Sequence, residues 1–130
     1  MSSNFSDASK TGEILVLRTE IGKQHLLLAQ QVGRLEVLRP CGDSDRAIEV
    51  DKEVRRLRRQ SAKLLDTYLE AIEVILDLPS LILGIERVTR EMNKIASHIG
   101  GVVGALRVSA SLLSATASTI ALINNAPKKP

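Results

Sequence analysis

At 130 residues and 44% apolar side chains, the chain has the size and composition of one domain with its own core. Aromatics are only 2%, Phe5 and Tyr68, so that core has to be aliphatic, and the stacking platform of a single-strand nucleic-acid binder is missing. A formal charge of +3 is too small by itself to argue for a nucleic-acid partner, and one cysteine, Cys41, excludes an internal disulfide; a reducing, intracellular setting is the expectation.

Residues 1–10 are polar, with no apolar run of the kind a secretory signal needs, and are expected to be a disordered lead-in. Ser9 or Thr11 can then cap a helix over 11–38. Its apolar seam is Ile14, Leu17, Ile21, Gln24, Leu28, Gln31, Leu35 and Leu38. Two of those eight positions are glutamines. We expect them at partly hydrated positions, because a seam glutamine is easily solvated at its tip; the sharper alternative is a polar device that sets register.

Arg39-Pro40-Cys41-Gly42-Asp43 breaks the chain: Pro40 removes a donor and Gly42 permits a turn. Ser44 or Asp43 caps a second helix over 44–78, with seam positions Val50, Val54, Leu57, Ser61, Leu64, Tyr68, Ala71, Ile75 and Leu78. Folding the chain back at Cys41-Gly42 sets Arg34 near Glu49 and Glu20 near Lys63. Pro79-Ser80 marks the next turn. A hairpin there opposes Glu73 to Arg87, Glu70 to Arg90 and Asp66 to Lys94, while Ile75 meets Ile85 and Ile72 meets Val88. One register satisfies charge and apolar pairing together.

Residues 81–123 carry the longest pattern. Leu81, Ile85, Val88, Met92, Ile95, Ile99, Val102, Leu106, Leu113, Ile120 and Ile123 recur in alternating steps of four and three, softened only by Ser109 and Thr116. As one helix this stretch would run about 65 Å. Gly100, Gly101 and Gly104 each cost roughly 1 kcal/mol in a helix interior, yet the repeat passes through them without a slip. One helix, bent at Gly100-Gly101, is therefore expected, with the glycines as close-packing positions for another backbone. The fold class is all-α: an elongated antiparallel three-helix bundle or coiled coil, becoming four helices if the chain breaks at Gly100-Gly101.

Residues able to do chemistry are sparse and scattered. His25 and His98 are isolated, neither His nor Cys stands at metal-ligand spacing, and the glycine cluster lacks the Lys-Ser/Thr and the preceding strand of a phosphate loop. A non-enzymatic protein without cofactor or metal is expected. Lys52, Arg55, Arg56, Arg59 and Lys63 share a face of the second helix. A solvated face is the plain reading; the functional one is contact with an anionic lipid surface or phosphate. Nucleic acid ranks lower, for want of a recognition motif.

From Val108 to Ile123 there is no charge on any side of the helix. A surface helix should have a charged side, so this one is covered by protein, by copies of itself or by lipid. Val108, Leu112, Leu113, Ile120, Leu122 and Ile123 are the candidate interaction surface, on an end expected to overhang the second helix. The expected role is a self-associating structural or adaptor module, homo-oligomeric or bound to a protein partner. The alternative is a membrane-active protein that inserts this helix, against which stand Arg107 and the frequent Ser and Thr.

Overall fold

The structure, a computed structural model, describes residues 2–98 and 100–130. They form four α-helices and no named strand: α1 (Ser2–Leu38), α2 (Asp45–Ala71), α3 (Leu78–Ala96) and α4 (Val102–Asn125). The expected seam position Ile99 lies outside the described residues.

α1 begins at Ser2 rather than near residue 11, so Ser9 and Thr11 lie inside the helix and not at its cap. Extending a helix adds a hydrogen bond per residue fixed, whereas starting one is costly, so capping-type residues are carried along once the turn after them exists. The first loop follows expectation. Gly42 takes a positive φ of 79°, and the Ser44 hydroxyl accepts from the Ala47 amide at 3.2 Å to cap α2.

α2 ends at Ala71, seven residues short of the expected end at Leu78, and Pro79 opens α3 instead of closing α2. Proline in a first helical turn loses nothing, because its missing N–H has no helical acceptor there. Asp77 caps that turn, accepting from the Ser80 amide at 3.2 Å and the Ser80 hydroxyl at 2.7 Å.

The expected third helix is divided at residues 97–101. Ser97 closes α3, its hydroxyl donating to the Lys94 carbonyl at 2.6 Å, and Gly101 starts α4 in extended conformation. The repeat runs through this turn because α3 and α4 both turn apolar faces to the same core, so unbroken phase does not require an unbroken helix. A straight 65 Å helix would also have left most of α4 uncovered; the turn puts it against α2, α3 and α1.

That turn changes the neighbours. α2 and α3 do not pack side by side among the described residues, so the hairpin expected at Pro79 does not form, nor do Glu73–Arg87, Glu70–Arg90 and Asp66–Lys94. α1 runs antiparallel to α2, with Arg39 on Asp51 at 2.8 Å and Arg58 on Glu36 at 2.8 Å. Those pairs replace Arg34–Glu49 and Glu20–Lys63. Arg34 instead donates to the carbonyls of Ala96 and His98, at 3.2 and 3.5 Å, beyond the end of α3. α4 lies antiparallel to α1, with Gln31 on Ala105 and Ser109 and with Leu17 and Ile21 in one cluster with Ile120 and Ile123.

Two apolar clusters fill the interior. One gathers Leu17, Ile21, Leu64, Tyr68, Ile75, Ile85, Ile120 and Ile123; the other Leu28, Leu35, Val50, Leu57, Met92, Val108 and Leu112. Gln24 and Gln31, expected to be partly hydrated, are 0% and 2% exposed. They are core residues whose amide nitrogens donate to α3 and α4, while the Gln24 Oε1 is buried without a partner.

The C-terminal tail closes the end where α4 finishes. The Leu76 amide donates to Pro127 O at 2.9 Å and the Lys129 amide to Val74 O at 2.7 Å. Lys128 donates to the carbonyls of Ile123, Asn124 and Ala126 at 2.8–3.0 Å, placing its charge on the negative end of α4.

Candidate interaction surfaces

Most of the expected interaction surface is interior. Val108 (7% exposed), Leu112 (0%), Ile120 (6%) and Ile123 (1%) belong to the core, and Leu113 packs half-buried against it. Only Leu122 of the six is exposed. The overhang is absent because α4 turns back alongside α2 and α3. α4 turns outward Val103 and Arg107 in its first turns and, from residue 108 on, Ala110, Ser111, Ser114, Ala117, Ser118, Ala121 and Leu122. Beyond Arg107 this face is uncharged, as the sequence requires, but it is made of small side chains. It meets α3 along an open groove lined by Leu81, Gly84, Val88, Ser118, Ala121 and Leu122.

The glycines serve the turn. A Cβ at Gly101 or Gly104 would meet nothing within 4 Å, and one at Gly100 would meet only Gly104 Cα at 3.4 Å. No second helix of this chain presses on them, so close packing is not their role within it.

Lys52, Arg55, Arg56, Arg59 and Lys63 are all exposed. Arg56 reaches Glu53 at 3.4 Å. Lys52, Arg59 and Lys63 have no ion-pair partner among the described residues. Arg56, Arg59 and Lys63 line a shallow groove with Gln60 and Leu113, where Gln60 donates to the Leu113 carbonyl at 3.1 Å. The cations therefore rim the uncharged face of α4.

His25 and Ser61 meet, Nδ1 to Oγ, in a groove between α1 and α2 that also holds Leu28, Ala29, Val32, Leu57 and Leu65. Ser and His in contact are two parts of a nucleophile–base pair, but no carboxylate hydrogen-bonds the imidazole here, and helix interiors leave no free amides to hold an oxyanion. His98 and Cys41 are exposed. No three His, Cys, Asp or Glu side chains come together for a metal among the described residues.

Sequence reasoning missed a face on α1. Opposite its core seam, Leu15 (54% exposed), Thr19, Gly22, Leu26 (56%), Ala29, Gly33 and Val37 (85%) point outward. They follow one another in steps of four and three until Val37, itself four on, with no charge among them. Ala62 and Leu69 on α2 extend the patch. The signal was present: with apolar residues on both sides, α1 lacks the one-sided pattern of α2 and α3.

The chain matches no family model, no curated protein and no solved structure.

Proposed function

We propose that this chain is a non-enzymatic helical interaction module that associates with itself through uncharged outward faces of its helices. In this reading the four helices close as one supercoiled bundle whose purpose is to hold those faces rigid. The observation that carries it is the pairing of exposure with absence of charge: the outward face of α1 over residues 15–37, and that of α4 beyond the exposed Arg107, are open to solvent yet carry no charged residue along their centres. A helix face that ends its life in water is normally charged, and contiguous uncharged apolar surface is characteristic of an interface. Light scattering coupled to size exclusion tests the reading: a mass above one chain, rising with concentration, supports it, and a strict monomer of 14.1 kDa up to millimolar concentration refutes it.

A second reading rests on α4 and its cationic rim. α4 is 24 residues and holds an 18-residue window of mean hydropathy 1.5, long and apolar enough to cross a membrane by length and composition. Lys52, Arg55, Arg56, Arg59 and Lys63 would meet anionic headgroups beside it. Insertion would require Leu112, Ile120 and Ile123 to leave the core, so self-association comes first. Flotation with anionic and neutral vesicles separates the two: binding to anionic vesicles that is lost when the five cations become Gln favours the membrane, and no flotation of either form removes it.

A further inference from the structure

We infer that the outward face of α1 is the seam of a two-fold symmetric dimer in which the α1 helices of two copies of this chain run antiparallel. The inference rests on the self-association reading and names its surface and its partner. Leu15, Thr19, Gly22, Leu26, Ala29 and Gly33 keep heptad spacing on the outward side of α1, with Ala29 at its edge lining the groove to α2. Together with Val37 they span about 33 Å along the axis. Side chains at that spacing fit the grooves of one partner helix and serve no purpose in water. A Cβ built at Gly22 or Gly33 would meet nothing, so the face is empty there, and a second backbone can come close.

The occupant follows from charge. In a parallel pair of α1 helices, the positions flanking the seam place Arg18 against the partner's Lys23, twice over. Like charges so placed are unfavourable. Antiparallel pairing separates Arg18 from the partner's Lys23. With Leu26 layered on the partner's Ala29 and Gly22 on the partner's Gly33, Thr19 falls on the partner's Glu36, which Arg58 pairs at 2.8 Å, and the flanks bring Lys23 to the partner's Gln30 and Val16 to the partner's Val37. Val16 and Val37 are 45% and 85% exposed in the single chain, and this register covers both. Arg18 comes nearest the partner's Arg39, whose charge Asp51 already holds at 2.8 Å. The same surface is self-complementary, as a two-fold interface requires.

Two experiments on the full chain test this. Leu26→Arg changes an exposed side chain, so helix content by circular dichroism stays at the wild-type value, while the dimer dissociation constant rises roughly 30-fold or more and the mass by light scattering falls to that of one chain. Ala117→Arg, on the outward face of α4, leaves the dimer intact. Self-association that survives Leu26→Arg overturns the inference while the module reading stands; a wild-type chain that is monomeric at every concentration overturns both. Should Leu26→Arg misfold, disulfide trapping in a Cys41→Ser background decides. Mixing Leu26→Cys with Ala29→Cys chains is expected to give the mixed disulfide in excess over either variant alone. Preferential trapping of Leu26→Cys with itself, or none at all, overturns the antiparallel seam.

Discussion

Gln31 and Ser109 are joined by a buried hydrogen bond of 2.9 Å, and the same Gln31 amide donates to the Ala105 carbonyl at 2.9 Å. Ser109 in turn donates to Ala105 O at 2.8 Å, so one carbonyl, one hydroxyl and one amide close a small triangle between α1 and α4. One heptad earlier, Gln24 builds the same triangle on α3: it donates to Thr89 Oγ1 at 3.1 Å and Ile85 O at 3.4 Å, and Thr89 donates to Ile85 O at 3.1 Å. α1 thus holds α3 and α4 by clamps of the same pattern, the one at Gln24 longer and with its amide oxygen unpartnered. A slip of either helix would leave a buried amide without a partner, which costs more than the bond contributes.

The clamps predict a difference between two substitutions. Gln31→Ala removes both donated bonds and opens space in the core, costing about 2–5 kcal/mol. Gln31→Leu fills the volume and leaves Ala105 O still served by Ser109, costing less than about 1.5 kcal/mol. Urea unfolding measures both. Equal losses would show that the amide contributes through its volume alone.

Leu112 distinguishes a core role from a surface role for α4. It is fully buried, so Leu112→Ala destabilises by about 2–5 kcal/mol. Ala117→Ser, on the outer side of the same helix, stays within about 0.5 kcal/mol of wild type. Were Leu112 a docking residue on an overhanging helix, its truncation would leave the unfolding midpoint of the isolated chain unchanged.

Thr119 is fully buried and its hydroxyl has no hydrogen-bond partner. Thr119→Val keeps the shape and removes the stranded group, so stability rises by about 1 kcal/mol. Thermal unfolding checks it, and a fall in midpoint would mean that the hydroxyl is satisfied in solution.

Asp77 and Asp51 set the acid limb. Hydrogen bonds from the Ser80 hydroxyl and amide hold the Asp77 carboxyl below its usual range, and those from Arg39 do the same for Asp51. A carboxyl whose folded pKa is depressed stabilises the fold fully above its unfolded value, about 3.9, and less as pH falls through the folded one. The fold is therefore expected to lose stability below about pH 4, and Asp77→Asn, which keeps an N-cap acceptor, flattens that loss. Melting temperatures between pH 2 and 6 give the comparison; parallel curves would mean that Asp77 titrates alike folded and unfolded.

Much of the local structure was legible. The 4–3 spacing gave the helices, Gly42 the turn that only a positive φ permits, and Ser44 the cap of α2. Each is decided by residues within a few positions of one another. Pro79 was misread because proline stops a helix before it and suits the first turn of a helix after it, and its own sequence does not choose between them.

The amino-acid order alone determined that this chain is helical, where its apolar stripes lie, and that 108–123 cannot be an ordinary charged surface helix. Tertiary structure decided which stripe is buried and against what. Turning the chain at residues 97–101 converts Leu112, Ile120 and Ile123 from an expected docking face into core, separates α2 from α3, and encloses Gln24 and Gln31. Periodicity identifies a face that avoids water, but the partner of that face is set by where the chain reverses. Those few turn residues carry almost none of the hydrophobic pattern.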